Sequence, residues 1–333
     1  MSDTFPDGIH EFLGGSEWEG AEIAPLVGDA SFRRYFRIHR GDDSAMLMHA
    51  PPPREDPAPF LEVAEWLSDH GLRAPRIYSQ DAKKGWVLTE DFGDIRVKEW
   101  LDDHPGDAHD VYSAAVETLV QLHAEQPGPF PPYDMTTYRR EAALFLEWFC
   151  PAADLQVDED GWDLAWRQTL APLIERQQPG VTVLRDYHAE NIMLLEPGKL
   201  AGVQGLIDFQ DALVGHPAYD LVSLLQDARR DVAPQLEHDM LCRYRAAADP
   251  GEHFEEDYVV LGAQRNAKIV GIFTRLAKRD GKARYLDLIP RVWTHLERDL
   301  SHAVMAPVAA WFDANIPERI RNVRGDLSAF DHG

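Results

Sequence analysis

Three polar side chains in the second half of the chain have types and a spacing that could do chemistry. Asp186 stands five residues before Asn191, in the pattern D-x-x-x-x-N, and Asp208 ends the next strand-like segment. One carboxylate of such a set could orient or deprotonate an attacking hydroxyl, while an amide oxygen and a second carboxylate could hold Mg²⁺ against nucleotide phosphates. The spacing therefore predicts phosphoryl transfer, with Asp186 as the catalytic residue and Asn191 and Asp208 as the metal ligands.

The weight of this short pattern depends on its setting. A D-x-x-x-x-N match arises by chance about once in a chain of this length. This chain, however, has four Asn, and Asn191 alone has an Asp five residues earlier. The stretch VLRDYHAENIMLL (183–195) also places the pattern between two apolar, strand-like segments, and GVQGLID (202–208) follows as another. A polar turn closed by Asx hydrogen bonds is the structural alternative.

These residues must be positioned by elements that change type near residue 95. The first part of the chain is typical of a small α/β unit, in which two strand-like segments flank the turn sequence GDD and a helix with one apolar face follows. Two further strand-like segments complete the unit, and the five ranges are 31–40, 44–50, 59–71, 76–79 and 85–90. The pattern predicts a β-rich lobe that ends in a connector near residues 90–95.

From about residue 96 the apolar residues recur with the 3.6-residue period of amphipathic helices. The clearest of these segments are 110–124, 135–149, 163–176 and 217–230. The segments 183–195 and 202–208 interrupt the helical run, and we expect the two to pair as a hairpin with polar tips. The predicted fold class is therefore α+β, with a larger helical lobe that carries one functional hairpin.

Composition argues against several classes of function. The 333 residues include 33 Lys and Arg against 57 Asp and Glu, a formal net charge of −24, which disfavours non-specific binding to nucleic acid or to anionic membranes. Cys150 and Cys242 lie far apart without a C-x-x-C partner, so neither a disulfide framework nor a zinc site is expected. Because we find no secretory signal and no apolar run of about 20 residues, we expect a soluble, cytoplasmic protein. We also expect it to be a monomer.

The segment LRDYHAEN (184–191) resembles the catalytic loop of the aminoglycoside phosphotransferase and choline kinase family, whose usual form is H-G-D-x-H-x-x-N. LIDFQDALVGHPAYDLVSLL (206–225) is similar to the metal-aspartate segment of that family. Further segments, GDASFRRYFRI, MHAPP, LLQDARRDV and QRNAKIVGIFTRLAKRDGK, look like the anomeric N-acetylmuramate/N-acetylglucosamine kinases of bacterial cell-wall recycling. The general resemblance covers nearly the whole chain.

The resemblance implies a protein-kinase-like, two-lobed fold, with a nucleotide-binding N-lobe at residues 1–93 and a C-lobe at 94–333 that holds the catalytic loop, metal site and acceptor pocket. It implies an ATP-dependent kinase with Mg²⁺ as cofactor. Its partner would be a small-molecule amino sugar, phosphorylated at the anomeric hydroxyl to the sugar 1-phosphate. Asp186 would be the base or the orienting residue, and Asp220 would fix its loop from the helix behind.

The acceptor pocket is implied to lie among residues of this loop and of the helical lobe after Asp208. His188 either braces the loop or contacts substrate, and Asp211 either caps its turn or reaches sugar hydroxyls. Several basic residues in 264–279 favour a neutral or anionic acceptor, such as an N-acetyl sugar or its lactyl ether, with a solvated basic helix face as the alternative. The expected substrate-binding residues are His188, Glu190, Gln210, Asp211, Arg265, Asn266 and Arg275.

The chain departs from the family in two places. Leu184 and Arg185 stand where His and Gly usually precede the aspartate. Residues 1–82 contain no lysine, although the β-lobe of this family should supply one to the α- and β-phosphates. We expect Arg33 or Arg34 to replace it, because a guanidinium can form paired hydrogen bonds to phosphate oxygens.

Other residues of the β-lobe complete the expected nucleotide site. Arg37 and His49 are further candidate cations, and Glu62 or Glu65 could orient the cation, unless both only face solvent. Backbone N–H groups in VGDASFRR (27–34) would cover the phosphates, and adenine would lie against the connector at Leu88–Phe92. The expected nucleotide-binding residues are Gly28, Ala30, Ser31, Phe32, Arg33, Arg34, His49, Glu90 and Phe92.

Other functions remain open at this point. A kinase of the same fold could act on a cationic acceptor, an aminoglycoside or an aminoalcohol. The missing lysine and the single glycine of the phosphate loop also fit a nucleotide-binding regulator without catalysis. A metal-dependent hydrolase built on His188 and Asp208 is less well supported, because no pair of His residues stands at ligand spacing near them.

Overall fold

The structure, a computed structural model, describes residues 5–26, 33–196 and 204–330. The chain forms two compact units. The first comprises Met1–Ala114 and Glu190–Asp211, and the second comprises Ala115–Ala189 and Ala212–Gly333. The change of unit between Ala189 and Glu190 falls inside the polar stretch that carries the D-x-x-x-x-N pattern. The functional boundary at residue 93 stays a prediction.

Strands dominate the beginning of the chain and helices dominate the remainder. The strands are β1 (Glu22–Leu26), β2 (Arg34–Arg40), β3 (Asp43–His49), β4 (Ile77–Asp81), β5 (Trp86–Glu90), β6 (Val181–Val183), β7 (Ile192–Leu194), β8 (Gln204–Leu206) and β9 (Leu213–Gly215). The helices are α1 (Ile9–Leu13), α2 (Ala58–Asp69), α3 (Val97–Asp103), α4 (Ala108–Ala124), α5 (Met135–Ala142), α6 (Cys150–Ala152), α7 (Glu159–Arg176), α8 (Ala218–Leu225), α9 (Pro234–Ala248), α10 (Phe254–Lys278), α11 (Ile289–Leu300), α12 (Ala306–Asn315) and α13 (Glu318–Asn322). In the described part of the chain, no helix has both the length and the apolar composition to cross a membrane.

The first unit is built on an antiparallel sheet with strand order β1-β2-β3-β5-β4. The predicted hairpin across GDD is confirmed, because Arg40 pairs with Asp43 and Gly41 takes a φ of 62° in the turn. Alternate residues of these strands face one apolar core, as period-2 patterning requires. That core comprises Ile9, Leu13, Trp18, Phe36, Ile38, Ala45, Leu47, Trp86 and Leu88.

The predicted helix after the hairpin is also confirmed. Helix α2 buries Phe60, Val63, Ala64 and Leu67, which recur at helical spacing on one face. Phe60 stacks on Phe209, with ring centroids 5.2 Å apart. Because Phe209 follows Asp208 directly, this contact anchors the segment after β8 to α2.

The predicted pairing of 183–195 with 202–208 is half right. Strand β7 pairs with β8, with Ile192 opposite Leu206, as expected. The start of the stretch pairs elsewhere, because Val183 in β6 lies opposite Leu213 in β9. Each of these strands has three residues, which is too short for the alternation that identifies a partner from sequence.

One predicted helix changes type along its length, and another ends earlier than the apolar period indicates. The segment 135–149 is helical to Ala142 and then passes through a π-helical turn at Phe145–Phe149. The segment 217–230 is helical only to Leu225. There the side chain of Asp227 accepts a hydrogen bond from the backbone N–H of Arg229 (2.8 Å), a local bond that competes with the helical one.

Helix α10 runs through the core of the second unit, and most of its residues are buried. Gly271 allows the close approach of a neighbouring segment, because a Cβ at this position would overlap the backbone carbonyl of Leu144. The same helix carries Arg265 and Lys268. Its close packing therefore fixes the positions of those two side chains in the unit.

Candidate functional site

The loop between β6 and β7 is anchored by an aspartate of α8. Asp220 is fully buried, and its carboxylate accepts hydrogen bonds from the backbone N–H groups of Leu184 (2.7 Å) and Arg185 (2.8 Å). Burial raises the pKa of Asp220 to about 7, although these two donors lower it. Two adjacent main-chain bonds set the direction of the loop, and the predicted role of Asp220 in fixing it is confirmed.

Arg185 explains one departure from the family's usual loop. Its φ is 70°, in the left-handed region that glycine adopts readily and that strains other residues. The Arg185 guanidinium donates a hydrogen bond to the Glu141 carboxylate and lies 5.7 Å from the centre of the Tyr133 ring. This chain therefore has a tethered arginine at the position where the family usually has glycine.

Asp186 is surrounded by positive charge. Its Oδ1 lies 3.7 Å from Arg265 Nη2, and its side chain is 44% exposed. Lys268 Nζ lies 3.0 Å from a Glu141 oxygen and donates a hydrogen bond to the Tyr219 hydroxyl (3.2 Å). Partial burial raises the pKa of Asp186, but the nearby positive charges, that of Lys268 first and that of Arg265 next, together lower it more, so that the pKa lies below its ordinary value. Asp186 is thus ionised at neutral pH and can accept a proton or a hydrogen bond.

His188 and its neighbours are fixed by the second unit. His188 is buried, and Arg229 Nη1 lies 3.3 Å from its Nε2. Burial lowers the pKa of His188 to about 4, so the ring is neutral at neutral pH. Tyr187 donates a hydrogen bond from its hydroxyl to the carbonyl of Ala115 (2.9 Å). These contacts favour the loop-bracing role of His188 over direct substrate contact.

The two predicted metal ligands lie together in the first unit. Asn191 directly precedes β7, and Asp208 follows closely after β8. Asn191 Nδ2 donates a hydrogen bond to Asp208 Oδ2 (3.3 Å), and Gln210 Nε2 donates one to Oδ1 (2.8 Å). Asp208 has a φ of 60°, a second left-handed backbone among the predicted site residues. Gln210 orients this carboxylate, and its predicted contact with substrate stays a prediction.

The donor set suits a hard cation. The Asp208 carboxylate and the Asn191 amide oxygen are ligands that Mg²⁺ prefers. Among the described residues, no group of three or more His, Cys, Asp or Glu could by itself hold a metal ion. A cation bound here would therefore need water or phosphate oxygens to complete its coordination, which is usual for Mg²⁺ in nucleotide sites.

The β-lobe cations differ in what they contact. Arg33 Nε lies 3.2 Å from a Glu55 carboxylate oxygen. Arg34 lies opposite His49 in the hairpin, and its guanidinium lies over the ring of Phe36 in the core. The His49 ring stacks on Trp86 at 3.9 Å, and its pKa is lowered by burial and then by the Arg34 charge. His49 is therefore a poor cation, while Arg33 is oriented by an acid.

The acid beside Arg33 is not one that the sequence pattern indicated. Glu62 and Glu65 are exposed on α2, whereas Glu55 lies in the proline-rich turn before that helix. Arg37, another candidate cation, is engaged by Asp91 (2.7 Å) and Asp94 (2.8 Å) of the connector. The remaining predicted phosphate-loop residues lie outside the described residues; they are Gly28, Ala30, Ser31 and Phe32.

Arg73 holds the connector side chains in place. Its guanidinium donates two hydrogen bonds to the Glu90 carboxylate (2.8 and 2.5 Å) and lies 4.8 Å from the centre of the Phe92 ring. The bonds from Arg73 lower the pKa of Glu90. The Glu90 side chain is bound to Arg73 and its backbone N–H donates to the Arg76 carbonyl (2.9 Å), and its contact with adenine stays a prediction. Sequence reasoning missed Arg73, since nothing in its local spacing marks it.

The predicted acceptor residues of α10 are placed differently from one another. Arg265 is 3% exposed and donates a hydrogen bond to the Ser223 hydroxyl (2.8 Å), beside Asp186. Asn266 is fully buried and donates to Gln226 Oε1 (2.7 Å), which gives it a structural role inside the helical unit. Arg275 is half-buried. Substrate contact by Arg265 or Arg275 stays a prediction.

Two predicted acceptor residues mark the ends of one chain segment. Glu190 is half-buried and Asp211 is exposed, and they bound the part of the first unit that carries Asn191 and Asp208. Their contacts with a sugar stay predictions. Sequence reasoning also missed Glu141, whose partners come from three other segments of the chain.

Comparison with known proteins places these features in a family. Residues 22–258 match the phosphotransferase enzyme family. The chain is 39% identical over 296 residues to the N-acetylmuramate/N-acetylglucosamine kinase of Pseudomonas aeruginosa, covering 85% of each chain. It is 34% identical over 354 residues to the kinase of the same name from Caulobacter vibrioides, covering 93% of this chain and 96% of that one.

A solved structure agrees at the level of the fold. The choline/ethanolamine kinase family protein from Mesorhizobium loti superposes with a TM-score of 0.61 at 14% identity, covering 92% of this chain and 97% of that one. The family match spans most of the chain, and both named relatives are similar along nearly their whole length. The chain therefore belongs to the phosphotransferase enzyme family and has its protein-kinase-like fold.

Proposed function

We propose that this phosphotransferase is an ATP-dependent sugar kinase that phosphorylates the anomeric hydroxyl of N-acetylmuramate and N-acetylglucosamine, as a cytoplasmic enzyme of peptidoglycan recycling. The observation that carries the proposal is the similarity to kinases named for these two sugars, at 34–39% identity over at least 85% of the chain. The arrangement around Asp186 supports it independently.

Asp186 would act on the acceptor. Its ionised carboxylate would accept the proton of the sugar hydroxyl as the sugar oxygen bonds to the γ-phosphorus and the bond from that phosphorus to ADP breaks. The positive charges of Lys268 and Arg265 keep this carboxylate ionised. Asp220 and the buried His188 would keep its loop in place during the transfer.

Asn191 and Asp208 would hold Mg²⁺ through an amide oxygen and a carboxylate. Bound there, the ion would offset the charge on the phosphates of ATP. Gln210 restrains the Asp208 carboxylate through its hydrogen bond of 2.8 Å, which keeps one oxygen directed. Arg33, oriented by Glu55, is our proposed replacement for the missing phosphate-binding lysine.

The positively charged residues near Asp186 indicate which class of acceptor the protein binds. Arg185, Arg265 and Lys268 all belong to the unit that carries Asp186, whereas pockets for aminoglycosides or aminoalcohols need carboxylates or aromatic rings to receive a cation. A neutral N-acetyl sugar or its anionic lactyl ether fits these surroundings better. A cationic acceptor is the second candidate, and the two are separated by a direct assay.

The test is a coupled assay of ADP release with one acceptor at a time. N-acetylmuramate, N-acetylglucosamine, choline and kanamycin are supplied to the purified protein with ATP and Mg²⁺. We expect turnover with the two amino sugars and background rates with the two cations. Turnover with kanamycin or choline alone would assign the second candidate function. ATP binding without turnover on any acceptor would assign the regulator.

A further inference from the structure

A buried glutamate links three segments of the second unit. Glu141, near the end of α5, is 7% exposed. Its carboxylate accepts hydrogen bonds from the Tyr133 hydroxyl and from Arg185 Nη2, and it lies 3.0 Å from Lys268 Nζ. Removal from water raises the pKa of Glu141, but the charges of Lys268 and Arg185 lower it more, so the group is ionised. One anion thus holds two cations that flank Asp186.

The first arm of this cluster acts on the backbone. Arg185 precedes Asp186 and has a φ of 70°, a conformation that persists in a residue other than glycine only where its surroundings hold it. Asp220 binds its backbone N–H, and Glu141 binds its guanidinium. Arg185 is therefore fixed at both ends, and the direction in which Asp186 leaves the chain follows from it.

The second arm acts on the side-chain environment. Lys268 reaches the cluster from α10 and is held by Glu141 and by the Tyr219 hydroxyl (3.2 Å). The Tyr133 and Tyr219 rings lie 5.0 Å apart, so the groups that hold the two cations pack on each other. Without Glu141, Lys268 would lose the anion that pairs with it and would be less firmly held relative to Asp186.

We propose that Glu141 is a positioning residue for phosphoryl transfer: by binding Arg185 and Lys268 together, it fixes the backbone and the ionic surroundings of Asp186. The proposal rests on the catalytic role proposed for Asp186. Glu141 is too buried to touch substrate, so it acts entirely through these two cations. A loop displaced by about 1 Å can cost a hundredfold in rate, which is the scale of effect that such a tether controls.

A second buried glutamate of the same unit provides a matched control. Glu237 on α9 is 6% exposed and accepts hydrogen bonds from the Tyr258 hydroxyl (2.8 Å) and from both terminal nitrogens of Arg298 (2.6 and 2.8 Å). It has the same chemistry as Glu141, a tyrosine and a cation on a buried carboxylate. Neither of these partners belongs to the loop of Asp186.

The experiment compares Glu141→Gln with Glu237→Gln. We expect Glu141→Gln to lower kcat by about 100-fold, with the KM values for ATP and acceptor within about two-fold of wild type. Hydrogen exchange of the amides in 183–189 should become faster in Glu141→Gln and stay unchanged in Glu237→Gln. Glu237→Gln should keep its kcat, although both variants lose stability. Glu141→Asp, which keeps the charge, should recover part of the lost rate.

Three results would overturn the inference. They are a wild-type kcat in folded Glu141→Gln, an equal fall of kcat in Glu237→Gln, and unchanged exchange of 183–189. If Glu141→Gln does not fold, Arg185→Gly decides instead, because glycine adopts the left-handed φ without strain. That variant should fold and lose at least about tenfold in kcat, and a full kcat would again overturn the inference.

The outcome is separable from that of the proposed function. Kinetic ratios are taken with whichever acceptor the wild-type protein phosphorylates, and the exchange measurement needs no acceptor. A wild-type protein inactive on amino sugars would refute the proposed substrate while the exchange comparison still decides the role of Glu141.

Discussion

Arg185 and Asp208 hold left-handed backbone conformations, with φ of 70° and 60°. Each is held by specific partners: Asp220 and Glu141 bind Arg185, while Gln210 and Asn191 bind the Asp208 carboxylate. Strain of this kind costs of order 1–3 kcal/mol and is found at sites where geometry matters more than stability. At the residue scale, the contacts that hold these two residues are therefore as important as the residue types themselves.

Asp208→Asn tests the metal role at this scale. Replacing the carboxylate by an amide removes the negative charge that Mg²⁺ requires and leaves the size of the side chain unchanged. We expect kcat/KM to fall by more than about 100-fold, and the residual rate to depend weakly on Mg²⁺ concentration. Asp42→Asn, in the exposed β2–β3 turn, is the matched control and should keep wild-type turnover. Near-normal activity of Asp208→Asn would exclude the metal role.

Lys268→Met tests the charge around Asp186. The positive charge of Lys268 lowers the pKa of Asp186, so its removal should raise that pKa. Because Asp186 must be ionised to accept a proton, the acid limb of the kcat/KM profile should move to higher pH, by about one unit. Lys278→Met, at the exposed end of the same helix, should leave the limb in place. A shift to lower pH, or none, contradicts the account.

Residue type and local spacing identify the site residues, but they do not identify the contacts that hold those residues in place. Asp186, Asn191 and Asp208 could be identified because they stand close together in the chain beside recognisable strands. Glu141, Arg73 and Glu55 could not, since their ionic partners come from distant segments and charged residues are common on any surface. The left-handed φ at Arg185 was equally hidden, although its substitution for the family's glycine was the available clue.

At the scale of elements, periodicity succeeds where segments are long. The β2–β3 hairpin and α2 were predictable because alternation and helical spacing extend over seven residues or more. The ribbon of β6 and β9 was not, because three residues contain too little pattern. The early end of α8 was also hidden, since the apolar period continues past the point where Asp227 forms its turn.

Glu55→Gln tests the orientation of the proposed phosphate-binding cation. The Glu55 carboxylate lies 3.2 Å from Arg33 Nε, and removal of its charge should free the guanidinium to adopt other rotamers. We expect the KM for ATP to rise by about three- to tenfold with little change in kcat. Asp69→Asn, exposed at the end of α2, should have no effect. A higher KM for ATP in Glu62→Gln, with no change in Glu55→Gln, would instead assign the orientation of Arg33 to Glu62 on α2.

Gly271→Ala tests the packing that places α10. Alanine normally stabilises a helix relative to glycine by about 1 kcal/mol, but here its Cβ would overlap the carbonyl of Leu144. We therefore expect the free energy of unfolding to fall by about 1–3 kcal/mol, measured by chemical denaturation. Gly106→Ala, where a Cβ meets open space, should change it by less than about 0.5 kcal/mol. A stabilised Gly271→Ala would show that the contact is not close.

At the scale of the whole molecule, charge is distributed unevenly. The chain has a net charge of −24, yet Asp186 is accompanied by Arg185, Arg265 and Lys268 in its own unit. Net charge alone indicates only what the surface will avoid. These cations, which favour a neutral or anionic acceptor, come from two segments, the loop at Arg185 and helix α10, which the sequence separates by about eighty residues.

The fold of the whole molecule was predictable through the resemblance to a known family. The choice of acceptor also rests on that resemblance. The loop and metal-aspartate segments indicated the family, which the match over residues 22–258 confirms. The choice among acceptors came from the narrower similarity, which the kinases named for N-acetylmuramate and N-acetylglucosamine support. The position of the transferred phosphate on the sugar distinguishes an anomeric kinase from other sugar kinases.

The most direct test is phosphorus and proton NMR of the product formed from ATP and each amino sugar. We expect one phosphate ester per sugar, with phosphorus coupled to the anomeric proton, so that the product is the 1-phosphate. We also expect Asp186→Asn to form this product at least about 100-fold more slowly. A phosphate coupled to the protons of C6, or no phosphorylated sugar at all, would show that the protein is not an anomeric amino-sugar kinase.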